Sequence, residues 1–199
     1  CAADQDWAPM AIAENDGKIY IGAVCGATSQ ASVIEYDISA TGILSATGVV
    51  LSGDPTQAPG HSGVNSGNIP TAAECRGVDW MAWRDDVPQP CIDNSAATTP
   101  PNPDGQGLAR QFSVPQPMLS DIAFTETGGM ILGFRDRGGD QYSSMLYYGQ
   151  RTSGLAAYSN YIATGDIVGV CVDGATLDFD CRGTLPRSGD FDDYGGFHN

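Results

Sequence analysis

The sequence predicts an all-β chain, a β-propeller-like assembly, partial or open, of antiparallel hairpins with long loops and disulfides. Three observations lead there. No window of about 11 residues or more keeps apolar residues at i, i+3, i+4 and i+7 without a Gly or Pro interruption, so amphipathic helices are not expected. Short β-rich runs instead alternate with turn dipeptides along the chain. One of these hairpins also has a similar partner farther along, and repetition of a hairpin in an all-β chain points to radial or stacked sheets, with the propeller as the commonest arrangement.

The elements follow in order. APMAIAENDGKIYIGAVCG reads as two strands around Asn15-Asp16-Gly17, whose glycine readily takes positive φ. SVIEYDIS and GILSATGVVLS read as a second hairpin joined at Ala40-Thr41-Gly42. Residues 52 to 73 and 93 to 108, rich in Gly, Pro, Ser and Asn, are expected to be long surface loops. GDIVGVCVDGATLDFDCRG carries a hairpin signal at Asp173-Gly174 that sets Cys171 opposite Thr176, so a bridge from Cys171 to Cys181 needs the chain to fold back after Phe179.

The repeat emerges when residues 10 to 23, MAIAENDGKIYIGA, are laid on residues 121 to 134, DIAFTETGGMILGF. The repeat-like hairpins span 8 to 25 and 117 to 135. Gly17 then falls on Gly128 and Gly22 on Gly133, while Ala11, Ile19, Tyr20 and Ile21 fall on Ile122, Met130, Ile131 and Leu132. A glycine near the end of each second strand suits close approach of a neighbouring backbone. At about 40 to 50 residues per blade the chain makes roughly four blades, fewer without its loops, hence a partial or open assembly.

Composition bounds function. The chain has 199 residues, 41% of them hydrophobic, enough for one good core or two small ones, and residues 1 to 199 are read as one β-rich domain or incomplete propeller. With 24 acidic against 9 basic residues the net charge is -15, and Lys18 is the only lysine. Such a surface repels phosphate backbones and anionic membranes, so no nucleic-acid partner is expected; divalent cations or cationic partners fit better. No run approaches the roughly 18 apolar residues of a membrane span. The start lacks an initiating Met or signal-like segment and reads as that of a processed product or excised segment.

Six cysteines fall into three local pairs, Cys1 with Cys25, Cys75 with Cys91 and Cys171 with Cys181. None has C-x-x-C spacing, so disulfides outside a reducing cytosol are the preferred reading over zinc. About 15 connectivities are open to six cysteines, and sequential pairing is the preferred one. Each bridge closing a short loop stabilises by about 3 kcal/mol in the chain-entropy picture. Cys1 also admits the reading of a lipid-bearing cysteine.

ECRGVDWMAWRDD, PQPMLSDIAFTETGGMILGFRDRGGDQ and GKIYIGAVC resemble the N-terminal region of large bacterial surface proteins that carry serine-aspartate-repeat-type B domains downstream. The resemblance covers most of residues 1 to 145 and is specific at PQPMLSDI and ILGFRDRGGDQ. It implies a propeller-like, extracellular location on the cell surface, and it brings no catalytic residues.

Four sets of candidate site residues stand out. Arg135, Asp136, Arg137, Asp140 and Gln141 suit an anionic or sugar ligand, because forked guanidinium donors beside carboxylates favour polar recognition. Alternating charges beside glycines also fix a loop without any ligand, and that scaffold reading is preferred. Asp79, Trp80, Trp83, Asp85 and Asp86 combine aromatic platforms with carboxylates as glycan-binding surfaces do, while packing of the tryptophans is the favoured alternative. Asp190, Asp192 and Asp193, with Asp178 and Asp180 nearby, offer oxygens for Ca2+, although Tyr194 stands where an acidic ligand is wanted and solvated acidic surface is the default. His61 and His198 are the only imidazoles, and no nucleophile or metalloprotease motif occurs, so no enzyme is expected.

The expected function is therefore a non-enzymatic extracellular structural or adhesive module that self-associates through exposed strand edges. A calcium-dependent carbohydrate-binding module is the alternative.

Overall fold

The computed structural model describes residues 1, 7–55, 80–86, 110–112, 114–126, 129–142, 146–148, 157–161, 163, 165–173 and 176–178. It is mostly β-sheet, with one six-residue helix among the described residues, so the all-β expectation holds.

Strands β1 (Trp7–Asn15), β2 (Lys18–Cys25), β3 (Ala31–Ile38) and β4 (Leu44–Gly53) form a first antiparallel sheet in chain order. A second antiparallel sheet has the order β11-β10-β7-β6, from β6 (Pro117–Phe124), β7 (Met130–Asp136), β10 (Gly165–Asp173) and β11 (Thr176–Asp178). Between β7 and β10 lie the helix α1 (Arg137–Tyr142) and two strands of a small third sheet, β8 (Leu146–Tyr148) and β9 (Ala157–Tyr161). β5 (Arg110–Phe112) completes that sheet by pairing parallel to β9. Among the described residues no sheet closes on itself.

The first hairpin turns at Asp16 (φ 52) and Gly17 (φ 76). These left-handed torsions are those of a type I′ turn, whose twist matches that of the strands it joins. The Glu14 carboxylate accepts the Gly17 N–H at 2.9 Å. β4 reaches Gly53, two residues into the expected loop at 52 to 73; residues 56 to 73 of that loop, and all of 93 to 108, lie outside the described residues. The ladder between β10 and β11 runs to Asp173 opposite Thr176, which places Cys171 opposite Asp178 and not, as expected, opposite Thr176. Asp173 is thus the last paired residue of its strand and not, as the Asp-Gly signal suggested, the first residue of the turn.

The two large sheets share one core. β6 lies against β1 and β2, and β11 against β4. Ala11, Tyr20, Val24, Val33 and Leu51 of the first sheet meet Leu119, Ile122, Leu132, Phe134, Val168 and Val170 of the second. Tyr20 and Phe124 pack with ring centroids 4.7 Å apart, and Trp80, from the segment 80–86, packs on Phe134 at 6.2 Å. The sheets approach closely at Gly22: a Cβ there would lie 2.5 Å from Leu119 Cδ2.

The two hairpins share a pairing pattern, shifted by one residue from the sequence alignment in their first strands. In each, the first strand bulges by one residue, between Pro9 and Ala11 or between Leu119 and Asp121. In each, the residue after the bulge pairs with the glycine, Ala11 with Gly22 and Asp121 with Gly133. Gly22 does correspond to Gly133, but Ala11 corresponds to Asp121 and Ile12 to Ile122. The second hairpin's connection, Phe124 to Met130, is one residue longer than that from Glu14 to Ile19. The corresponding faces point opposite ways: Gly22 faces the core, whereas Gly133 lies beside exposed Asp121 on the outside.

Replacement of Gly22 by valine forces Leu119 aside and is expected to cost about 1–3 kcal/mol, the range for overpacking. Leu119→Ala, which empties the same contact, is expected to cost about 2–5 kcal/mol. Urea titrations check both; a neutral Gly22→Val would show that the sheets do not meet there.

Candidate functional site

The polar residues at the end of β7 gather round one buried carboxylate. Alternation along β7 turns Met130, Leu132, Phe134 and Asp136 inward and leaves Ile131 and Arg135 outward. The Asp136 carboxylate is only 3% exposed, and burial of a charge is costly unless donors surround it. Oδ1 accepts the backbone N–H groups of Gln116 (3.0 Å) and Gly138 (2.8 Å). The Tyr161 hydroxyl lies 2.7 Å from Oδ2 and 2.9 Å from the Val114 carbonyl, its single proton shared between them. In the run Pro115-Gln116-Pro117, only Gln116 has a backbone N–H, and Asp136 takes it. Gly138 must be glycine because the Tyr161 hydroxyl occupies the space a Cβ would need.

Arg137 extends the cluster toward the segment 80–86. Its Nη1 donates to the Arg84 carbonyl (3.0 Å), Gln116 Oε1 (2.9 Å) and Gln141 Oε1 (3.0 Å), and its Nη2 to Asp85 Oδ1 (3.1 Å). The guanidinium also stands 4.9 Å from the Trp83 ring centroid, a cation–π contact. Trp83 lies against Gly26, donates its backbone N–H to the Gly26 carbonyl (2.7 Å) and its Nε1–H to the Pro117 carbonyl (2.7 Å). Gln116 Oε1 further accepts the Arg84 N–H at 2.7 Å. These groups fasten 80–86, 114–117 and β7 to one another.

The structure therefore brings Trp83, Asp85 and Arg137 together and separates Arg135, which is exposed and pairs with exposed Asp140 at 2.6 Å. Trp80 is buried against Phe134, so its ring offers no platform for a glycan, a correction to that expectation; burial in the core is what an indole so placed contributes. Asp86 is exposed, 3.6 Å from Arg84 Nε. Asp79, His61, His198, Cys75, Cys91, Cys181, Asp180, Asp190, Asp192 and Asp193 lie outside the described residues, as does the Cys171 side chain. Cys1 and Cys25 are joined by a disulfide. The sulfur that a thioether-linked lipid on Cys1 would need is therefore bonded to Cys25. Among the described residues no group of three or more His, Cys, Asp or Glu side chains is placed to hold a metal ion. Nor is any helix there long and apolar enough to cross a membrane.

Sequence reasoning missed Gln116, Tyr161 and Gly138, and also a second cluster at the far end of the first sheet. There Glu35 accepts from Lys18 Nζ (2.5 Å), Tyr20 Oη (3.0 Å) and Thr47 Oγ1 (2.9 Å). The hydrogen bond from Lys18 holds Glu35 below the usual carboxylate range, with Thr47 and Tyr20 adding to it. The same bond raises Lys18, and burial, then Glu35, raises Tyr20. The cross-strand pairing of Tyr20 with Glu35 was the available signal.

Comparison with protein-family models, with curated proteins and with solved structures found no match.

Tyr161→Phe is expected to destabilise by about 1–3 kcal/mol, since it removes a buried donor from Asp136. Gly138→Ala should cost at least as much. Asp85→Ala, at a side chain 94% exposed, should stay within about 0.5 kcal/mol. Denaturant curves rank the three, and a reversed order would mean that the surface ion pair, not the buried carboxylate, holds the segments.

Stability should also depend on pH at both ends. The contribution of Glu35 is complete above its ordinary pKa of 4.5 and is lost as the pH falls through its lower folded value. Those of Lys18 and Tyr20 are complete below their ordinary values of 10.5 and 10.0 and are lost as the pH rises through their raised folded values. Glu35→Gln should reduce the acid limb of a melting-temperature profile and remove the part of the alkaline limb that comes from Lys18, while the part from Tyr20, raised chiefly by burial, should persist.

Proposed function

We propose that this chain is a non-enzymatic extracellular module of a bacterial surface protein, structural or adhesive in role, built as a partial or open propeller-like stack and able to self-associate. One observation carries the reading. The polar cluster that most resembles a reaction centre, Asp136 with Gln116, Arg137 and Trp83, spends hydrogen bonds on backbone groups of three separate segments. That is how a scaffold uses polar side chains.

Further features support it. Two four-stranded antiparallel sheets packed through one core resemble neighbouring propeller blades, and the sheets among the described residues are too few to complete a ring. The Cys1–Cys25 disulfide suits an oxidising compartment. The resemblance of PQPMLSDI and ILGFRDRGGDQ to surface-protein regions points to the same place. Among the described residues, the edge strands β1, β4, β6 and β11 each have a single partner strand, and strand edges of this kind pair with other chains.

Sedimentation over micromolar to millimolar concentration tests the reading. Concentration-dependent association is expected, and added salt should strengthen it by screening the -15 net charge. A strictly monomeric, well-folded chain would overturn self-association, and glycan binding abolished by a chelator would replace the scaffold role with that of a calcium-dependent carbohydrate-binding module.

A further inference from the structure

We propose that the outward face of the first sheet stacks on the outward face of the second sheet of another copy of this chain, head to tail. The inference rests on the self-association proposed above and names its surface.

The outward face of the first sheet is apolar where a solvated sheet face would be polar. Ile12 pairs with Ile21, Ile21 with Ile34 and Ile34 with Val49, an aliphatic row across all four strands. Its ends are open to solvent, Ile12 at 68% and Val49 at 60% exposure. The next row is Glu14, Ile19, Tyr36 and Ala46. In a chain of 24 acidic residues, these two rows hold one charge, Glu14, on an edge strand. Contiguous apolar surface of this kind marks an interaction site.

The internal symmetry identifies the occupant. By the pairing that matches Gly22 with Gly133, Ile12, Ile21 and Ile34 correspond to Ile122, Leu132 and Val168, all of them core residues of the second sheet. The converse also holds. Tyr20 and Val33, buried in the first sheet, correspond to Ile131 and Ile167, which are 38% and 52% exposed on the outside of the second. The two partners of the close approach also have outward counterparts: Gly22 receives Leu119 inside the molecule, while the corresponding Gly133 and Pro9 both lie on outward faces. Each sheet thus displays outward the face that its relative buries, and a second copy supplies the missing neighbour for each. The contact is heterologous, so it propagates into an open stack or closes into a ring.

The test uses complementary face variants of the full chain. Val49→Glu disables the first face and Ile167→Asp the second; both positions are exposed, so the fold should persist, and Ile12→Asp and Ile131→Asp serve as second choices if it does not. Each variant alone should self-associate at least about tenfold more weakly than the parent chain, a change of about 1.4 kcal/mol. An equimolar mixture of the two should regain one contact and sediment as a heterodimer, because each retains the face the other lacks. Association lost in Val49→Glu, retained in Ile167→Asp and not restored by mixing would replace head-to-tail stacking with a two-fold contact. Association untouched by both would overturn the stacking and leave edge pairing standing, whereas a monomeric parent chain would overturn both.

Discussion

The constraint on which the structure turns is the need to satisfy one buried carboxylate. The period of two that brings Leu132 and Phe134 into the core carries on to Asp136, so a charge arrives where apolar atoms belong. Its donors must come from elsewhere, and they come from three directions: the chain before β6, the start of α1 and the end of β9. Satisfying Asp136 therefore fixes how the third sheet and the proline-rich strap join the second sheet. Apolar burial alone would not fix that geometry, because it has no direction.

Arg137 depends on the same arrangement. With Gln116 held by Asp136, its side-chain oxygen is placed to accept from both Arg137 and the Arg84 backbone, and the indole of Trp83 lies beneath the guanidinium. The charges of the Phe-Arg-Asp-Arg run thus divide by face. Arg135 points outward to a surface ion pair of small worth, Asp136 inward, and Arg137 sideways onto a neighbouring segment. Strand geometry thus gives each charge of one short run a different set of contacts.

Legibility in the sequence followed the distance over which each feature is determined. Turn chemistry at Asp16-Gly17 was readable because two adjacent residues decide it. So was the correspondence of Gly22 and Gly133, since glycine near the end of a strand is a local mark. The exact repeat register was not, because a bulge and one extra loop residue shift the first strands relative to the second. Gln116 and Tyr161 were invisible as site residues: they lie 20 and 25 positions from Asp136, and nothing local marks a proline-flanked glutamine or a strand-end tyrosine as its donor. For Trp80 the sequence favoured packing but left a glycan platform open, since an indole beside carboxylates suits either place. The parallel pairing of β5 with β9 brings together strands far apart in the chain and had no sequence signal at all.

Lys18 has a practical consequence for anyone handling the protein. It is the sole lysine, and its ammonium is engaged by Glu35, which keeps it protonated and poorly nucleophilic. Aldehyde fixation, glycation and active-ester coupling act on free amines, and the only side-chain amine of this chain is the one held in that pair. Attachment to beads, dyes or sensor chips is better directed at carboxylates, which are abundant, than at amines.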